Sequence, residues 1–377
     1  YRNIFFMKKL IKILSYHIFI ALLIFNSSVV FSQTLLKNIF DQAKPKSYIC
    51  YKTNEKININ GKINELSWEK AKWTDSFIDI EGNIKPNPRF DTKVKMLWDD
   101  EYLYISAYLE EPDIWAYLKE RDTIIFYDND FEVFLDPDGD THQYLEFEMN
   151  ALNTIWDLLL IKPYRDGGSA INNWDYKNIK TAVYIDGTIN NPGDKDKGWS
   201  LEIALPMKDI ADGTGIVVPP KNGDQWRINF SRVEWKTESK DGLYKKLINP
   251  QTNKPFPEDN WVWSPQCAIN MHMPEMWGFL QFSDKIVGSG EEKFIYNIDE
   301  DAKWALRQVY YEEMRFFEKN KKFCSSIEKL GLSNIKIKGF KINPIIKCTE
   351  NSFEAKITNE KEKYSFYIFQ DGRIIKK

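Results

Sequence analysis

The chain has 377 residues, 43% hydrophobic and 28% charged, the proportions of an ordinary globular protein, which exclude a disordered chain and a polytopic membrane protein. Its formal charge of −3 includes no run of lysines and arginines, so nucleic acid is not an expected partner. Aromatic residues are in excess at 15%, and twelve of the 13 tryptophans lie between Trp68 and Trp277. The only histidines are His17, His142 and His272, too few for a His-rich metal centre.

In chain order, the first pattern is an address. Met7-Lys8-Lys9-Leu10-Ile11-Lys12 is a basic start, residues 13–25 are largely apolar, and Val30-Phe31-Ser32 offers small residues for cleavage. Such an apolar stretch is short for a bilayer span. Residues 1–32 therefore predict an export signal, residues 1–6 preceding the first initiator, with a periplasmic or secreted mature chain starting near Gln33. In an oxidising compartment cysteines can pair. Cys50 with Cys267 and Cys324 with Cys348 is the simplest of the connectivities four cysteines allow; four unpaired buried thiols are the alternative.

Residues 50–283 read as short strands separated by turn signals. Stretches 94–98 and 102–108 flank Asp99-Asp100-Glu101, and 131–135 and 143–150 flank Asp136-Pro137-Asp138-Gly139-Asp140; both read as hairpins. Further strands are expected over 155–161, 181–185, 199–204, 225–235 and 277–282, with one short helical turn near 65–72. Many antiparallel strands with little helical periodicity predict a mainly β chain folded as a β-sandwich. Residues 284–377 differ. An amphipathic helix is expected over 299–321, then alternating stretches at 335–342, 352–357 and 364–369, a small α+β C-terminal unit joined through 283–290.

On the strand 143–150, Tyr144, Glu146, Glu148 and Asn150 share one face and Leu145, Phe147 and Met149 the other. Glu132 faces away from Phe131 and Val133, and Trp156 extends the same region. Planar polar groups beside aromatic rings suit sugar hydroxyls and the C–H faces of pyranose rings; a solvated outer face is the plainer alternative. Arg232 and Glu234 share a strand face and are placed to pair. Asp136, Asp138 and Asp140 alternate oxygen ligands around a Gly turn, as calcium favours, though without the downstream glutamate of an EF-hand loop. An acidic hairpin turn is the alternative.

Three stretches resemble the family 9 carbohydrate-binding modules, in particular the family-9-like, DOMON-like sandwiches of polysaccharide-degrading bacteria. They are Ile59-Asn60-Gly61-Lys62-Ile63-Asn64-Glu65-Leu66-Ser67-Trp68; Val94-Lys95-Met96-Leu97-Trp98-Asp99-Asp100-Glu101-Tyr102-Leu103-Tyr104 with Asp130-Phe131-Glu132-Val133-Phe134-Leu135-Asp136; and Gly198-Trp199-Ser200-Leu201-Glu202-Ile203-Ala204-Leu205-Pro206. The resemblance implies a distorted jelly-roll β-sandwich, binding of an oligo- or polysaccharide, association with glycan-degrading enzymes, structural calcium and no organic cofactor. Modules of this family clamp a terminal sugar between two tryptophans, with a carboxylate and an arginine. Matched residue by residue, the first tryptophan falls at Tyr127, with Trp115 nearby as a substitute, and the carboxylate at Glu132. The arginine falls on Glu148 and the second aromatic near Met271 and His272, both departures that imply a remodelled site.

The resulting expectation is an exported, non-catalytic carbohydrate-binding protein. The first rival is a glycoside hydrolase, which needs two carboxyls about 5–10 Å apart; Glu132, Glu146, Glu148 and Glu234 are candidates. The second is a haem-binding sandwich using His142, His272, Met271 or Met273, for which no paired ligand pattern stands out.

Overall fold

The computed structural model describes residues 44–332 and 335–377, so the expected export segment 1–32 lies outside the described residues. The main strands are β1 (Ser47–Lys52), β2 (Thr92–Trp98), β3 (Tyr102–Glu110), β4 (Asp130–Asp136), β5 (Tyr144–Asn150), β6 (Ile155–Leu160), β7 (Lys180–Asp186), β8 (Gly198–Pro206), β9 (Gln225–Glu234), β10 (Asp259–Val262) and β11 (Gly278–Ile286). Short helices α1 (Leu66–Lys70) and α2 (Met207–Thr214) interrupt them. The strands follow the order β6-β5-β4-β9-β11-β1-β2-β3-β8-β7, with β10 paired to the far end of β9.

Alternation along these strands explains why one continuous sheet folds over on itself. Phe131, Val133 and Leu135 of β4, Leu145, Phe147 and Met149 of β5, and Ile228 and Phe230 of β9 share one core with Val94, Met96 and Trp98 of β2, Leu103, Ile105 and Leu109 of β3, and Trp199, Leu201, Ile203 and Leu205 of β8. Burying both apolar faces against each other is the only way this sheet can shed that much hydrocarbon from water. The architecture is the expected β-sandwich.

The residues of the first and third resembling stretches meet at one buried carboxylate. Glu202 of β8 accepts hydrogen bonds from the Trp68 indole Nε1 at 2.7 Å and from the backbone N–H groups of Asn60 and Gly61, both at 2.8 Å. The Ser200 hydroxyl donates to the Gly61 carbonyl at 2.6 Å. Gly61 has φ +81°, and a Cβ there would lie 2.5 Å from the backbone of Val183 and Tyr184. This motif is therefore a structural latch that ties the entering chain onto β8 and β7.

Two expectations are corrected, and of the two alternatives for the cysteines the unpaired one holds. Strand β1 had no signal strong enough to be foreseen, and it runs parallel to both neighbours, β11 and β2, instead of antiparallel. Its length of six residues with mixed burial is too short to show a period. The segment 283–290 is not a free linker: β11 continues through Ile286, and the chain beyond is strapped to the sandwich by Gln281, whose Nε2 donates to the Lys293 carbonyl and whose Oε1 accepts from Ile295 N. The four cysteines are free thiols; Cys50 lies in the main core whereas Cys267 belongs to a separate cluster with Met273 and Met276.

The C-terminal unit is helix α3 (Asp299–Asn320) packed on an antiparallel sheet of β12 (Ile345–Cys348), β13 (Phe353–Thr358), β14 (Ser365–Phe369) and β15 (Ile374–Lys376). The expected strand over 335–342 is replaced by an isolated bridge from Phe340 to Asn359. Leu306, Val309 and Tyr310 of α3 bury against Phe353, Ile357, Phe366 and Ile368. The other side of α3 docks on the sandwich through polar groups. Arg307, fully buried, donates to the Thr141 hydroxyl at 3.0 Å, and the Tyr310 and Tyr311 hydroxyls donate to Asp166 and Glu275.

Glu275 gives this docking a pH dependence. Burial opposes its charge, but Arg165, with contacts of 2.9 and 3.0 Å, and then Arg307 hold the carboxyl down at about 2. Because the folded value lies below the unfolded one, the stabilisation is complete above pH ~4.5 and disappears as pH falls towards 2, an effect of about 3 kcal/mol. Thermal denaturation between pH 2.5 and 6 should show a steeper loss for the wild type than for Glu275→Gln. Parallel curves would show that Arg165 does not stabilise the carboxylate.

Candidate functional site

The face of β4 and β5 that turns away from the core carries acids where water would be expected. Asp130 and Glu132 of β4 and Glu146 and Glu148 of β5 are 0%, 6%, 5% and 2% exposed. Register explains their meeting: Glu132 pairs with Glu148, Phe134 with Glu146, and Glu148 in turn with Trp156 of β6. One carboxylate oxygen each from Asp130, Glu132 and Glu148 lie within 4.8 Å of one another. The alternative of a solvated outer face is excluded by this burial.

Little satisfies these groups. Asp130 Oδ1 accepts from Val233 N at 3.2 Å and Glu148 Oε2 from Phe126 N at 3.2 Å, while Asp130 Oδ2 and Glu146 Oε2 have no partner among the described residues. Burial, reinforced by mutual repulsion, pushes Asp130, Glu146 and Glu148 well above the usual carboxylate range. Burial also raises Glu132, to about 7, against the Ser231 hydroxyl, which favours its charge. Stacked carboxyls of this kind cannot all be ionised without a counter-charge.

Above the row stands an aromatic and cationic rim. Tyr127 is 52% exposed. Trp235 is bound through its Nε1 to the Phe126 carbonyl at 2.8 Å, and Lys246 Nζ lies 3.3 Å from the Trp235 ring centre and 5.5 Å from that of Tyr127. Burial lowers the Lys246 ammonium to about 8, against the nearby charges of Asp128 and Glu258. Glu258 also acts on Glu132. Sequence reasoning missed Trp235, Lys246 and Glu258. Trp235 ends a strand that reads as core, and the other two lie on segments without a strong period.

Of the expected site residues, Tyr127, Glu132, Glu146 and Glu148 are brought together here. Trp115 is not an exposed stacking platform: it is 4% exposed and packs with Val233, Trp235, Tyr244 and Phe126, its Nε1 unpartnered. Asn150 has no capacity left for a ligand. Its amide donates to Leu118 O and Asp128 Oδ2, and its carbonyl accepts from Leu152 and Thr154 N–H, so all four bonding positions brace the neighbouring loops. Tyr144 is fully buried at the other end of β5, where its hydroxyl pairs with His272 Nδ1 at 2.9 Å. His272 lies between Tyr144 and Tyr164, and burial, assisted by Arg165, holds its pKa down at about 4, so the ring is neutral at neutral pH. Both belong to an aromatic packing cluster around Phe134 and Trp277. Trp156 is half-buried beside Glu148 with its Nε1 unpartnered.

The acidic turn does a different job. Asp136 accepts from Gly139 N and Thr141 N, Asp138 from Asp140 N, and Asp140 from His142 N and the Arg373 guanidinium at 2.8 Å. Its carboxylate oxygens lie within 4.8 Å of one another, but backbone N–H groups and a cation from the C-terminal unit already engage them. That donor set fits a hydrogen-bonded turn that seats β15 better than it fits calcium. Arg232 pairs with Glu234 at 2.9 Å as foreseen, and also with Glu111 at 2.8 Å, in a fully buried network.

The motif residues thus lie at the latch of a sandwich whose outer face carries the acidic row. Residues 59–217 match the model of the carbohydrate family 9 binding domain-like family. The matched segment includes the acidic row, while Trp235, Lys246 and Glu258 lie beyond it. The chain is similar to a family 9 carbohydrate-binding module from Caldicellulosiruptor kristjanssonii solved with cellotriose, at 14% identity and TM-score 0.40, covering 65% of this chain and 99% of that one. It is likewise similar to a family 9 module from that organism solved with glucose, at 14% identity and TM-score 0.39, covering 65% and 100%. No curated protein matches the chain.

Proposed function

We propose that this is an exported, non-catalytic carbohydrate-binding protein that presents an oligo- or polysaccharide to glycan-degrading enzymes, the sugar lying on Tyr127 above Glu132 and its neighbours. The supporting observation is the exposed Tyr127 ring beside Lys246, next in the chain to Phe126, whose N–H donates to Glu148 of the acidic row. A ring face takes the C–H side of a pyranose, the ammonium donates to ring or hydroxyl oxygens, and carboxylates accept from hydroxyls. The match of residues 59–217 to the family 9 binding domain-like model supports the same reading. Export rests on the basic and apolar pattern of residues 1–32; none of the described helices is long and apolar enough to cross a membrane.

The test is a glycan array followed by titration calorimetry on residues 33–377. Tyr127→Ala should weaken binding to any hit by about 1–3 kcal/mol, the worth of one stacked ring by analogy with nucleobases. Reducing ends released from a hit would replace this reading with the hydrolase; absence of any hit would remove it.

A further inference from the structure

Among the described residues, three clusters of acids bring carboxylate oxygens within 4.8 Å of one another, and two already hold a cationic side chain. Among Asp122, Asp157 and Asp175 lies Arg121, whose Nη2 contacts Asp157 at 2.5 Å and Asp175 at 2.8 Å. On the turn of Asp136, Asp138 and Asp140 lies Arg373, 2.8 Å from Asp140. The third cluster, Asp130, Glu132 and Glu148, is the most deeply buried of them, yet among the described residues no lysine, arginine or histidine forms an ion pair with it.

We propose that Asp130, Glu132 and Glu148 hold a divalent cation of the calcium class, with Glu146 on its margin. Glu146 is the independent sign of a ligand. It is 5% exposed, its Oε2 has no partner, and it sits beside Glu148 across one register step from Glu132. Asp130 Oδ2, on a residue with no exposure at all, is likewise without a partner. A buried carboxylate oxygen that bonds to nothing is costly, and a hard cation satisfies it. Oxygen-only donors select calcium, magnesium or manganese over softer metals. Calcium accepts the irregular shells of about six to eight oxygens that side chains of neighbouring strands supply, whereas magnesium demands a near-ideal octahedron and keeps its waters. The cation would supply the charge that arginine supplies in the other two clusters. This inference does not depend on the saccharide reading.

Protons shared among the carboxyls are the competing way to relieve the same repulsion, and the experiment separates the two. Protein purified with EDTA is titrated with calcium chloride alone at pH 7.5 by calorimetry, in wild type, Glu148→Gln, Asp130→Asn and Asp138→Asn. The expected result is a calcium site whose affinity falls at least tenfold in Glu148→Gln and Asp130→Asn and is unchanged in Asp138→Asn, which alters only the hairpin turn. Calcium should raise the melting temperature of the wild type and not that of Glu148→Gln. Removing one negative charge from the row should leave calcium-free Glu148→Gln melting no lower than calcium-free wild type at this pH, so loss of binding through misfolding is recognisable. No calcium binding by the wild type at pH 7.5, loss of binding only in Asp138→Asn, or wild-type affinity in Glu148→Gln would each overturn the proposal.

Discussion

Replacing Arg232 with methionine is expected to lower the stability of the sandwich by about 3–5 kcal/mol, the cost of stranding a buried partner charge. Arg232 is 1% exposed. Its guanidinium donates to Glu111 at 2.8 Å, Glu234 at 2.9 Å, the Thr92 hydroxyl at 3.0 Å and the Glu110 carbonyl at 2.8 Å, and it stacks within 5.2 Å of Trp261 and 5.6 Å of Phe90. It therefore joins β9 to the ends of β2 and β3, across the two layers. One guanidinium serves two carboxyls, and burial together with Glu111 pushes Glu234 well above its ordinary range despite that pairing. Methionine fills similar volume but leaves Glu111 and Glu234 facing each other. Adding Glu234→Gln to the variant should recover part of the loss, because one of the two charges then disappears. Urea unfolding of the single and double variants measures both; a single-variant loss below 1 kcal/mol would show that the network contributes little.

The second large effect is expected at Trp68. Trp68→Ala removes a fully buried indole and the donor that reaches Glu202, and truncations of this size cost about 3–5 kcal/mol. Trp68→Phe keeps most of the ring and loses the hydrogen bond to a charged acceptor, worth about 1.5–3 kcal/mol. Glu202 retains its two backbone donors in either case, so the latch loosens without losing its anion altogether. The ordering wild type, Phe, Ala in the midpoint of urea unfolding is the result to look for. Equal midpoints for Phe and Ala would mean that the carboxylate, and not the packing, dominates.

These two expectations also mark the limits of reading the chain by its letters. Gly61, Trp68 and Glu202 stand out in the sequence as motif residues, but their reason for being there is a single buried acceptor shared over more than a hundred intervening residues. The strands were legible because apolar residues alternate cleanly, as in Leu145, Phe147 and Met149 against Glu146 and Glu148. The same alternation placed the four acids of β4 and β5 on the side away from the core. It could not show that Phe126, Trp235 and Tyr244 close around part of that side, nor that Trp115 is consumed in the packing. Tyr144 and His272 share the expected region, but the Tyr144 hydroxyl is spent on His272 Nδ1. Asn150 spends all of its own on loop backbone and the Asp128 carboxylate.

Sequence alone determined the sandwich, its strand boundaries to within a few residues, the helix of the C-terminal unit and the family resemblance of residues 59–217, because period-two alternation and local motifs are carried by neighbours in the chain. Tertiary structure alone decided that β1 enters parallel between β11 and β2, that the C-terminal unit anchors on the Asp136–Asp140 turn, and which acids meet without a counter-charge. Those outcomes depend on what covers a face and which distant groups share it. Side-chain direction is a local property, whereas burial and pairing are settled only when the layers close.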